Sequence, residues 1–360
     1  MPNSPKVSEY GSSPVREFLA ATTFRYVADG IPLQEVRRAQ RRIATWDQWW
    51  DYWVDRASVL SALAATSPTR ETRHTLGVLA SLCAHLAQYL HFHDIEAKHA
   101  ALRMKIELYR SALEPAPHAS HLIEAPYRTA SVPALLHVPV GTTTVPPCVV
   151  YLGGLDAHKE DAHDFVKLCL SRGLAVAALD GPGQGESMLR GLTFEADAHE
   201  SVSSLIDLLE TRDDIDGRRV GIIGRSLGGF LAPRAAADDS RIRALAVWGA
   251  MWDLSVLGRF PAHTRAGFAY ITGSRDLSES LDRLRFVNLE GHAGRINAPA
   301  LIVHGQNDRL TPESHARHMA SMIGSSAELR IIPGSEHCNH DEAHLVRPSM
   351  ADWLAESLAN

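Results

Sequence analysis

At residues 224–229 the chain reads Gly-Arg-Ser-Leu-Gly-Gly, directly after an apolar run at 220–223 and directly before a helical stretch at 230–237. A Gly-x-Ser-x-Gly turn between a strand and a helix holds its serine in a strained, exposed backbone conformation, and its glycines let neighbouring chain pass closely. Ser226 is therefore the candidate nucleophile. The alternative is an ordinary tight turn, because short glycine patterns also occur by chance.

A serine hydroxyl is a weak nucleophile, so it needs a base, and the base needs an orienting acid. In chains with this strand-turn-helix segment, the acid and the histidine follow the serine in that order. Asp308 comes soon after the apolar run at 300–303, and His337 comes soon after the run at 329–332. Both fall at the carboxyl ends of predicted strands, the edge where parallel sheets bind ligands. We predict Ser226, Asp308 and His337 as the catalytic residues.

Two other residues are alternatives for the roles of base and orienting acid. His340 is a second candidate base, three residues after His337. We prefer His337 because it follows the predicted strand and its Pro-Gly turn sooner. Asp253 is the first alternative carboxylate if Asp308 does not orient the base.

Acyl chemistry at a serine also needs N–H donors for the oxyanion, and removing one such donor costs about 3 to 4 kcal/mol in other enzymes. Leu227 supplies one donor by its position after the serine. The loop after the run at 148–152 reads Gly-Gly-Leu-Asp at 153–156, and its paired glycines predict Leu155 as the second donor. A plain turn is the alternative for such a Gly-Gly pair. Candidates for substrate contact beside these positions are Gly154, Asp156 and Arg225.

Beyond residue 118, short apolar runs of strand length alternate with helical stretches, which predicts an α/β fold with a mostly parallel, doubly wound sheet. The run at 132–138 alternates and is predicted to form an antiparallel hairpin at the sheet edge. Residues 249–298 exceed a usual crossover connection and are predicted to be a helical lid insertion. The parallel runs lie at 148–152, 174–179, 220–223, 244–248, 300–303 and 329–332.

Four tryptophans mark the earlier part of the chain as helical. Trp46, Trp49, Trp50 and Trp53 have the spacing of one helical face, behind a capping box at residues 45–48. We interpret this face as packing between a helical domain and its neighbour. An aromatic wall over the active site is the alternative.

Prolines divide the chain into segments. A second helix is predicted from Ser67-Pro68 and a third over 102–113, and the prolines at 115 and 117 end it. We predict that residues 1–15, rich in Ser and Pro, are disordered, that 16–117 form an N-terminal helical domain, and that 118–360 form the sheet domain with its lid at 249–298.

Composition excludes several other classes of protein. With 45% hydrophobic and 22% charged residues the chain is globular in type, and its net charge of −6 disfavours broad attraction to nucleic acid or to anionic membranes. We expect no nucleic acid and no membrane as partners. The four cysteines lack CxxC spacing, and no signal peptide or transmembrane run is visible, which predicts a cytoplasmic protein. The sequence does not determine the oligomeric state, and a homodimer is one state that it allows.

Two further patterns each have a ligand-binding interpretation and a purely structural one. His85, His91, His93 and His99 look like a metal cluster, but without a second ligand set they are more often ordinary helix histidines, so we expect no metal. Residues 180–187 read Asp-Gly-Pro-Gly-Gln-Gly-Glu-Ser, which invites comparison with a phosphate loop. They lack the Lys-Ser/Thr ending, and we expect no helix to start directly after them. We predict a structural turn beside the active site, and no cofactor.

Together these motifs resemble a known family. A helical domain with tryptophans precedes Gly-Gly-Leu-Asp156 with Lys159-Glu160, then Asp-Gly-Pro-Gly-Gln-Gly-Glu186, Gly-Arg-Ser226-Leu-Gly-Gly and Gly-Ser-Glu-His337. The combination is similar to the α/β-hydrolases grouped with 2,6-dihydroxypseudooxynicotine hydrolase and with fungal hydrolases that shorten polyketide pigment precursors. The resemblance covers nearly the whole chain. It implies a catalytic triad of Ser226, Asp308 and His337 and an oxyanion hole of Leu155 and Leu227.

For function, the resemblance implies a serine hydrolase with a small-molecule substrate that carries an activated carbonyl and is aromatic or polyketide-like. Similar members cleave a carbon-carbon bond next to a ketone, and others are described as esterases. We expect carbon-carbon hydrolysis of a β-diketone or an acyl-phenol, in which Ser226 or an activated water attacks the ketone and the carbanion leaves as an enolate or phenyl anion. A carboxylesterase or thioesterase is the near alternative. A cyclase or acyltransferase of secondary metabolism would use the same acyl-enzyme but exclude water. A catalytically dead binding protein is the last alternative, which the intact Ser, Asp and His disfavour.

Overall fold

The computed structural model describes residues 15–359 of the chain. Their contacts define two compact units, one of residues up to Pro117 together with Pro261–Tyr270, the other of His118–Phe260 together with residues from Ile271 onward. The disorder predicted for residues 1–15 falls outside the described residues except for Val15, which begins a helix. The predicted division into domains at residue 117 stays a prediction.

The first unit is built from helices, and side-chain caps set the starts of two of them. Thr69 Oγ1 accepts a hydrogen bond from the backbone N–H of Thr72 at 3.2 Å, so the second long helix begins at Arg70 and not at the Ser67-Pro68 pair. Asp94 Oδ1 accepts from the N–H of Ala97 at 3.0 Å and caps the third. The N-terminal helices are α1 (Val15–Ala21), α2 (Thr23–Ala28), α3 (Leu33–Arg42), α4 (Trp49–Thr66), α5 (Arg70–Tyr89) and α6 (Ile95–Leu113).

The tryptophan cluster does not lie on one helix face. Trp46 lies in a separate 3-10 turn, Trp46–Gln48, and α4 begins only at Trp49. Trp49 and Trp53 are fully buried, with ring centres 6.0 Å apart, and Trp49 Nε1 donates to the carbonyl of Leu86 in α5 at 2.7 Å. These two indoles therefore form part of the core of the helical unit itself.

The second unit is built on one eight-stranded sheet with the order β1-β2-β4-β3-β5-β6-β7-β8. β1 and β2 form the predicted antiparallel hairpin at the edge, and β3 to β8 are parallel. The mostly parallel α/β sheet is therefore confirmed. The strands are β1 (Ala119–Tyr127), β2 (Ala130–Val138), β3 (Pro147–Leu152), β4 (Ala175–Leu179), β5 (Asp216–Arg225), β6 (Ile242–Trp248), β7 (Ala300–Gly305) and β8 (Ala327–Ile332).

Helices on the sheet bury the central strands, which is why their sequences are unbroken apolar runs. On one side Val166 of the first crossover helix and Met350 and Leu354 of the C-terminal helix join a buried cluster with Val149 and Val176 of the strands. The helices of this unit are α7 (His163–Leu170), α8 (Gly185–Leu189), α9 (Glu200–Leu209), α10 (Gly228–Asp238), α12 (Leu277–Leu284), α13 (Glu313–Ile323) and α14 (Ala343–Ser357).

The insertion at residues 249–298 is helical, as predicted, and it contains α11 (Ala262–Ile271) and α12. Most of α11 groups with the N-terminal unit, while the rest of the insertion groups with the sheet unit. The cysteines are all buried and unpaired. Within the described residues, no helix combines the length and the apolar character needed to cross a membrane.

Candidate active site

Ser226 lies in a tight turn between β5 and α10. Its φ is +55°, in the left-handed region that costs a non-glycine residue roughly 1 to 2 kcal/mol, and its backbone N–H donates to the carbonyl of Trp248 at 2.8 Å. A Cβ on Gly224 would overlap the carbonyl oxygen of Gly228, and a Cβ on Gly228 would overlap that of Leu152. The Gly-x-Ser-x-Gly spacing thus follows from the crowding of this turn.

The structure brings the three predicted catalytic side chains together. His337 Nε2 lies 2.9 Å from Ser226 Oγ, and His337 Nδ1 lies 2.6 Å from Asp308 Oδ2. The side chain of Asp308 is 0% exposed and that of His337 is 18% exposed. With Asp308 ionised, Nδ1–H donates to the carboxylate and Nε2 keeps a lone pair that accepts the serine hydroxyl. This arrangement can remove a proton from Ser226.

Asp308 is held by the loop that follows β7. Its Oδ1 accepts from the backbone N–H groups of Leu310 at 2.9 Å and Thr311 at 2.8 Å, and its Oδ2 accepts from Thr311 Oγ1 at 2.8 Å as well as from His337. Sequence reasoning missed Thr311. The signal that could have found it is the Asx turn, in which an aspartate accepts from N–H groups two and three residues later.

The pKa values of the pair depart from their usual values in opposite directions. Burial acts to raise the pKa of Asp308, but His337 and the backbone N–H of Thr311 outweigh burial, and the pKa lies below its usual value. Burial acts to lower the pKa of His337, but the adjacent Cys338 sulfur and the Asp308 carboxylate raise that pKa well above its usual value. His337 therefore holds its second proton to a higher pH than a free histidine does.

A second buried histidine supports the loops around the pair. His304, at 0% exposure in β7, accepts at Nδ1 from the N–H of Ala250 at 3.1 Å and donates from Nε2 to the carbonyl of Thr311 at 2.8 Å. Burial lowers the pKa of His304, which keeps the ring neutral and able to accept at one nitrogen while donating at the other. Sequence reasoning missed this residue too, because its partners are backbone groups of two loops.

The predicted oxyanion positions flank the serine. A Cβ on Gly154 would lie 3.4 Å from Ser226 Cβ and 3.9 Å from Ser226 Oγ, so the loop after β3 runs beside the candidate nucleophile. Leu155 follows Gly154 and is half-buried, and Leu227 directly precedes α10. Backbone N–H groups beside a nucleophile are the donors that an oxyanion requires.

Arg225 and Asp156, the other two candidates for substrate contact, differ in burial and in surroundings. Arg225 is 5% exposed, and its guanidinium carbon lies 5.7 Å from the centre of the Trp248 ring, so the side chain packs on an indole. Asp156 is half-buried in the loop after β3. Substrate contact stays a prediction for all three.

The two alternatives to the chosen base and acid have other partners. His340 Nδ1 lies 3.4 Å from an Nη of Arg347, and Asp253 Oδ1 accepts from the N–H of Ser255 at 2.9 Å. The Ser226 hydroxyl is hydrogen-bonded to His337 Nε2.

The turn at residues 180–187 is built around a buried carboxylate. Asp180 Oδ1 accepts from the backbone N–H of Lys159 at 2.7 Å, and Oδ2 accepts from that of Glu186 at 2.8 Å and pairs with Lys159 Nζ at 2.9 Å. The expectation that no helix starts here is wrong, because α8 begins at Gly185. The Asp180 carboxylate accepts from an N–H in the first turn of that short helix, so a side chain of the chain itself satisfies this donor.

The histidines of the helical unit have partners of their own. His85 Nδ1 accepts from Lys105 Nζ at 3.2 Å, and His99 Nε2 lies 2.9 Å from the hydroxyl of Tyr270. The rings of His91 and His93 lie 4.1 Å apart. Burial lowers the pKa of His91 to about 4, so that ring is uncharged at neutral pH.

Comparison with known proteins places this site in a family. The family model described as "Esterase FrsA-like" matches residues 45–359, which include the Ser226 turn, Asp308 and His337. The chain belongs to the FrsA-like esterase family. It is an α/β-hydrolase, and the prediction of a hydrolytic enzyme is confirmed.

Individual relatives of this FrsA-like chain agree with the resemblance noted in the sequence. It is 30% identical over 346 residues to 2,6-dihydropseudooxynicotine hydrolase of Paenarthrobacter nicotinovorans, covering 93% of this chain and 91% of the relative. The crystal structure of 2,6-dihydroxy-pseudo-oxynicotine hydrolase matches with a TM-score of 0.86 at 28% identity, covering 93% and 95% of the two chains. A shorter match, 37% identical over 132 residues, links 34% of this chain to 31% of 20-hydroxy-prefusarin hydrolase of Gibberella moniliformis.

Proposed function

We propose that the chain is a serine hydrolase that cleaves a carbon-carbon bond next to a ketone. The observation that carries the serine mechanism is the continuous hydrogen-bonded chain from Ser226 Oγ through His337 to Asp308. The carbon-carbon specificity is supported by the resemblance to hydrolases of that kind and by the extent of the match to the oxynicotine hydrolase.

The first half of the reaction forms an acyl-enzyme. Ser226 Oγ bonds to the carbonyl carbon while its proton moves to His337 Nε2, and the carbonyl π electrons move to the oxygen to give an oxyanion. The N–H groups of Leu155 and Leu227 stabilise that oxyanion. When the carbonyl re-forms, the carbon-carbon bond breaks, and its electron pair leaves with the enolate or phenyl fragment, which takes the proton from His337.

The second half returns the free enzyme. His337 Nε2 takes a proton from water as the water oxygen bonds to the acyl carbon, which gives a second oxyanion. Collapse of this intermediate breaks the bond to Ser226 Oγ, the proton returns to that oxygen, and the carboxylic acid leaves. Atoms and charges balance without a cofactor, and Asp308 stays ionised throughout.

Ester hydrolysis is a second candidate because the matching family model carries the description of an esterase. The two reactions share the acyl-enzyme and differ in the leaving group, an alcohol instead of a carbanion. Steady-state assays of the purified chain on p-nitrophenyl esters and on aryl β-diketones, side by side, distinguish them. We expect a higher kcat/KM on the β-diketones than on the esters. Turnover of the esters without any turnover of the β-diketones would show that the chain is an esterase.

We propose a substrate class and a cellular location together with this reaction. The substrate is a small molecule with an activated carbonyl, aromatic or polyketide-like, and the enzyme is cytoplasmic. The oligomeric state is not determined by the sequence, and a homodimer is one state that it allows. Light scattering of the purified protein measures that state.

A further inference from the structure

We propose that Gln184 is a positioning residue that holds the oxyanion loop, residues 153–155, with its N–H groups turned away from Gln184 and toward the reacting carbonyl. This inference rests on the proposed function, because it assigns Gln184 a task in stabilising the oxyanion formed at Ser226.

The side chain of Gln184 is fixed on the loop by two hydrogen bonds. It is 2% exposed, and Nε2 donates to the carbonyl of Gly153 at 3.0 Å and to that of Gly154 at 2.8 Å. Both amide hydrogens are used. Because two carbonyl oxygens can accept but cannot donate, the nitrogen end of the amide must face the loop.

These bonds set the direction of the following N–H groups. The described chain has no cis peptide bond, and in a trans peptide the carbonyl and the next N–H point to opposite sides. The carbonyl of Gly154 accepts from Gln184 at 2.8 Å and, more weakly, from the backbone N–H of Ala157 at 3.3 Å, so the N–H of Leu155 points to the other side. If that peptide rotated, a carbonyl oxygen would take the place of the donor and repel the oxyanion.

The backbone that carries Gln184 is anchored to a buried ion cluster. Lys159 Nζ pairs with Asp180 at 2.9 Å, with Glu160 at 2.8 Å and with Glu186 at 3.0 Å. A Cβ on Gly185 would overlap the Asp180 carboxylate, so the chain passes directly against that group. The Lys159 cluster thus fixes the backbone directly after Gln184, where the Glu186 N–H donates to Asp180 Oδ2 at 2.8 Å.

Other side chains at this position would lose the two donors. Leucine or methionine fills a similar volume but donates no hydrogen bond, and an ionised glutamate presents only acceptors to two carbonyl oxygens. Gln184→Leu and Gln184→Glu are therefore the informative variants. Ser187→Ala is the matched control, because it removes a buried bond in the same turn, from Ser187 Oγ to the Asp180 carbonyl at 2.6 Å, and leaves the oxyanion loop untouched.

The experiment measures kcat and KM on a p-nitrophenyl ester and the inhibition constant of an aryl trifluoromethyl ketone. Such a ketone adds Ser226 Oγ and carries a full oxyanion, so its affinity reports the oxyanion hole. For Gln184→Leu we expect kcat to fall about 10- to 100-fold, with KM within about twofold and the inhibition constant raised by the same factor as kcat falls. Gln184→Glu should lose at least as much, while Ser187→Ala lowers the thermal midpoint and keeps kcat within about twofold.

Wild-type values of kcat and of the inhibition constant in Gln184→Leu would overturn the inference. So would equal losses of kcat in Gln184→Leu and Ser187→Ala, which would mean general loosening of the turn. If the leucine variant does not fold, Gln184→Met gives the same test with an unbranched side chain. Ser226→Ala, assayed in parallel, separates the two proposals: turnover surviving in that variant sinks the proposed function, whereas its loss beside an unaffected Gln184→Leu sinks only this inference.

Discussion

At the residue scale, the proposed chemistry depends on which nitrogen of His337 carries the proton. The ionised Asp308 accepts from Nδ1–H at 2.6 Å, which leaves Nε2 free to accept from Ser226. In Asp308→Asn the amide nitrogen would donate to Nδ1 and force the proton onto Nε2. We expect kcat to fall by about four orders of magnitude with a smaller change in KM. Steady-state kinetics measure this, and a retained rate would mean that another carboxylate, Asp253 first, orients the base.

The choice of base has its own test. His337→Ala should lose activity as severely as Ser226→Ala, because groups that act as a unit are not additive. His340→Ala is the matched control, since its ring lies beside Arg347 and not beside the serine. We expect a change within about threefold for that control. A severe loss in His340→Ala together with a mild effect in His337→Ala would reverse the assignment.

The raised pKa of His337 predicts how activity depends on pH. Only the neutral ring can accept the serine proton, so kcat/KM should be low below this pKa and should rise with increasing pH through a single ionisation. Because Cys338 and the Asp308 carboxylate raise the pKa, the midpoint should lie above that of an unperturbed histidine. A pH series of kcat/KM on one substrate measures it, and a midpoint below the ordinary value for histidine would contradict the electrostatic account.

Sequence alone predicted that Ser226, Asp308 and His337 lie together, because each follows an apolar run and the three occur in a fixed order; their catalytic role stays a prediction. Thr311 and Gln184 were not identified. Their partners are a carboxylate brought close by an Asx turn and two backbone carbonyls of a distant loop. Contacts of this kind depend on the conformation of loops, which residue types and spacing do not specify.

At the scale of elements, the strand-turn-helix around the serine has almost no spare space. Gly224→Ala places a methyl group on the carbonyl oxygen of Gly228, so β5 and α10 must separate. We expect the free energy of unfolding to fall by about 2 to 4 kcal/mol, as measured by urea denaturation. Gly294→Ala is the control, since its methyl group would meet only the carbonyl oxygen of Met322 at 3.8 Å. Equal stability of the two variants would contradict the crowding argument.

Strands were predictable where both faces are buried and less so at the edge. The central strands β3, β4 and β7 are buried along nearly their whole length, so their sequences are plain apolar runs. The edge strand β1 was missed because exposed residues such as His121 and Glu124 interrupt its pattern, although it pairs with β2 along its full length. The start of α5 was misplaced by two residues because Thr69 caps the helix and Ser67 does not.

At the scale of the whole molecule, the first compact unit includes a segment from the later part of the chain. Residues 261–270 group with the N-terminal unit, where the Tyr270 hydroxyl lies 2.9 Å from His99 Nε2 and the Tyr270 ring lies 5.9 Å from that of Phe92. A chain truncated to begin at residue 118 loses these partners and exposes the apolar side of α11. We expect it to aggregate or to be inactive on bulky aromatic substrates, as size-exclusion chromatography and assays measure. If the truncated chain were monodisperse and fully active, this expectation would be wrong, and the helical unit would not be required for turnover.

We expect Ser226 to form a covalent intermediate, and labelling with a fluorophosphonate detects such a nucleophile. The wild-type chain and Ser226→Ala are incubated with the reagent, and the adduct is located by mass spectrometry of the intact chain and its peptides. We expect a single adduct on the peptide containing Ser226 in the wild type and none in Ser226→Ala, with the same thermal midpoint for both chains. An adduct on another residue, or an active wild type that takes no label, would contradict it.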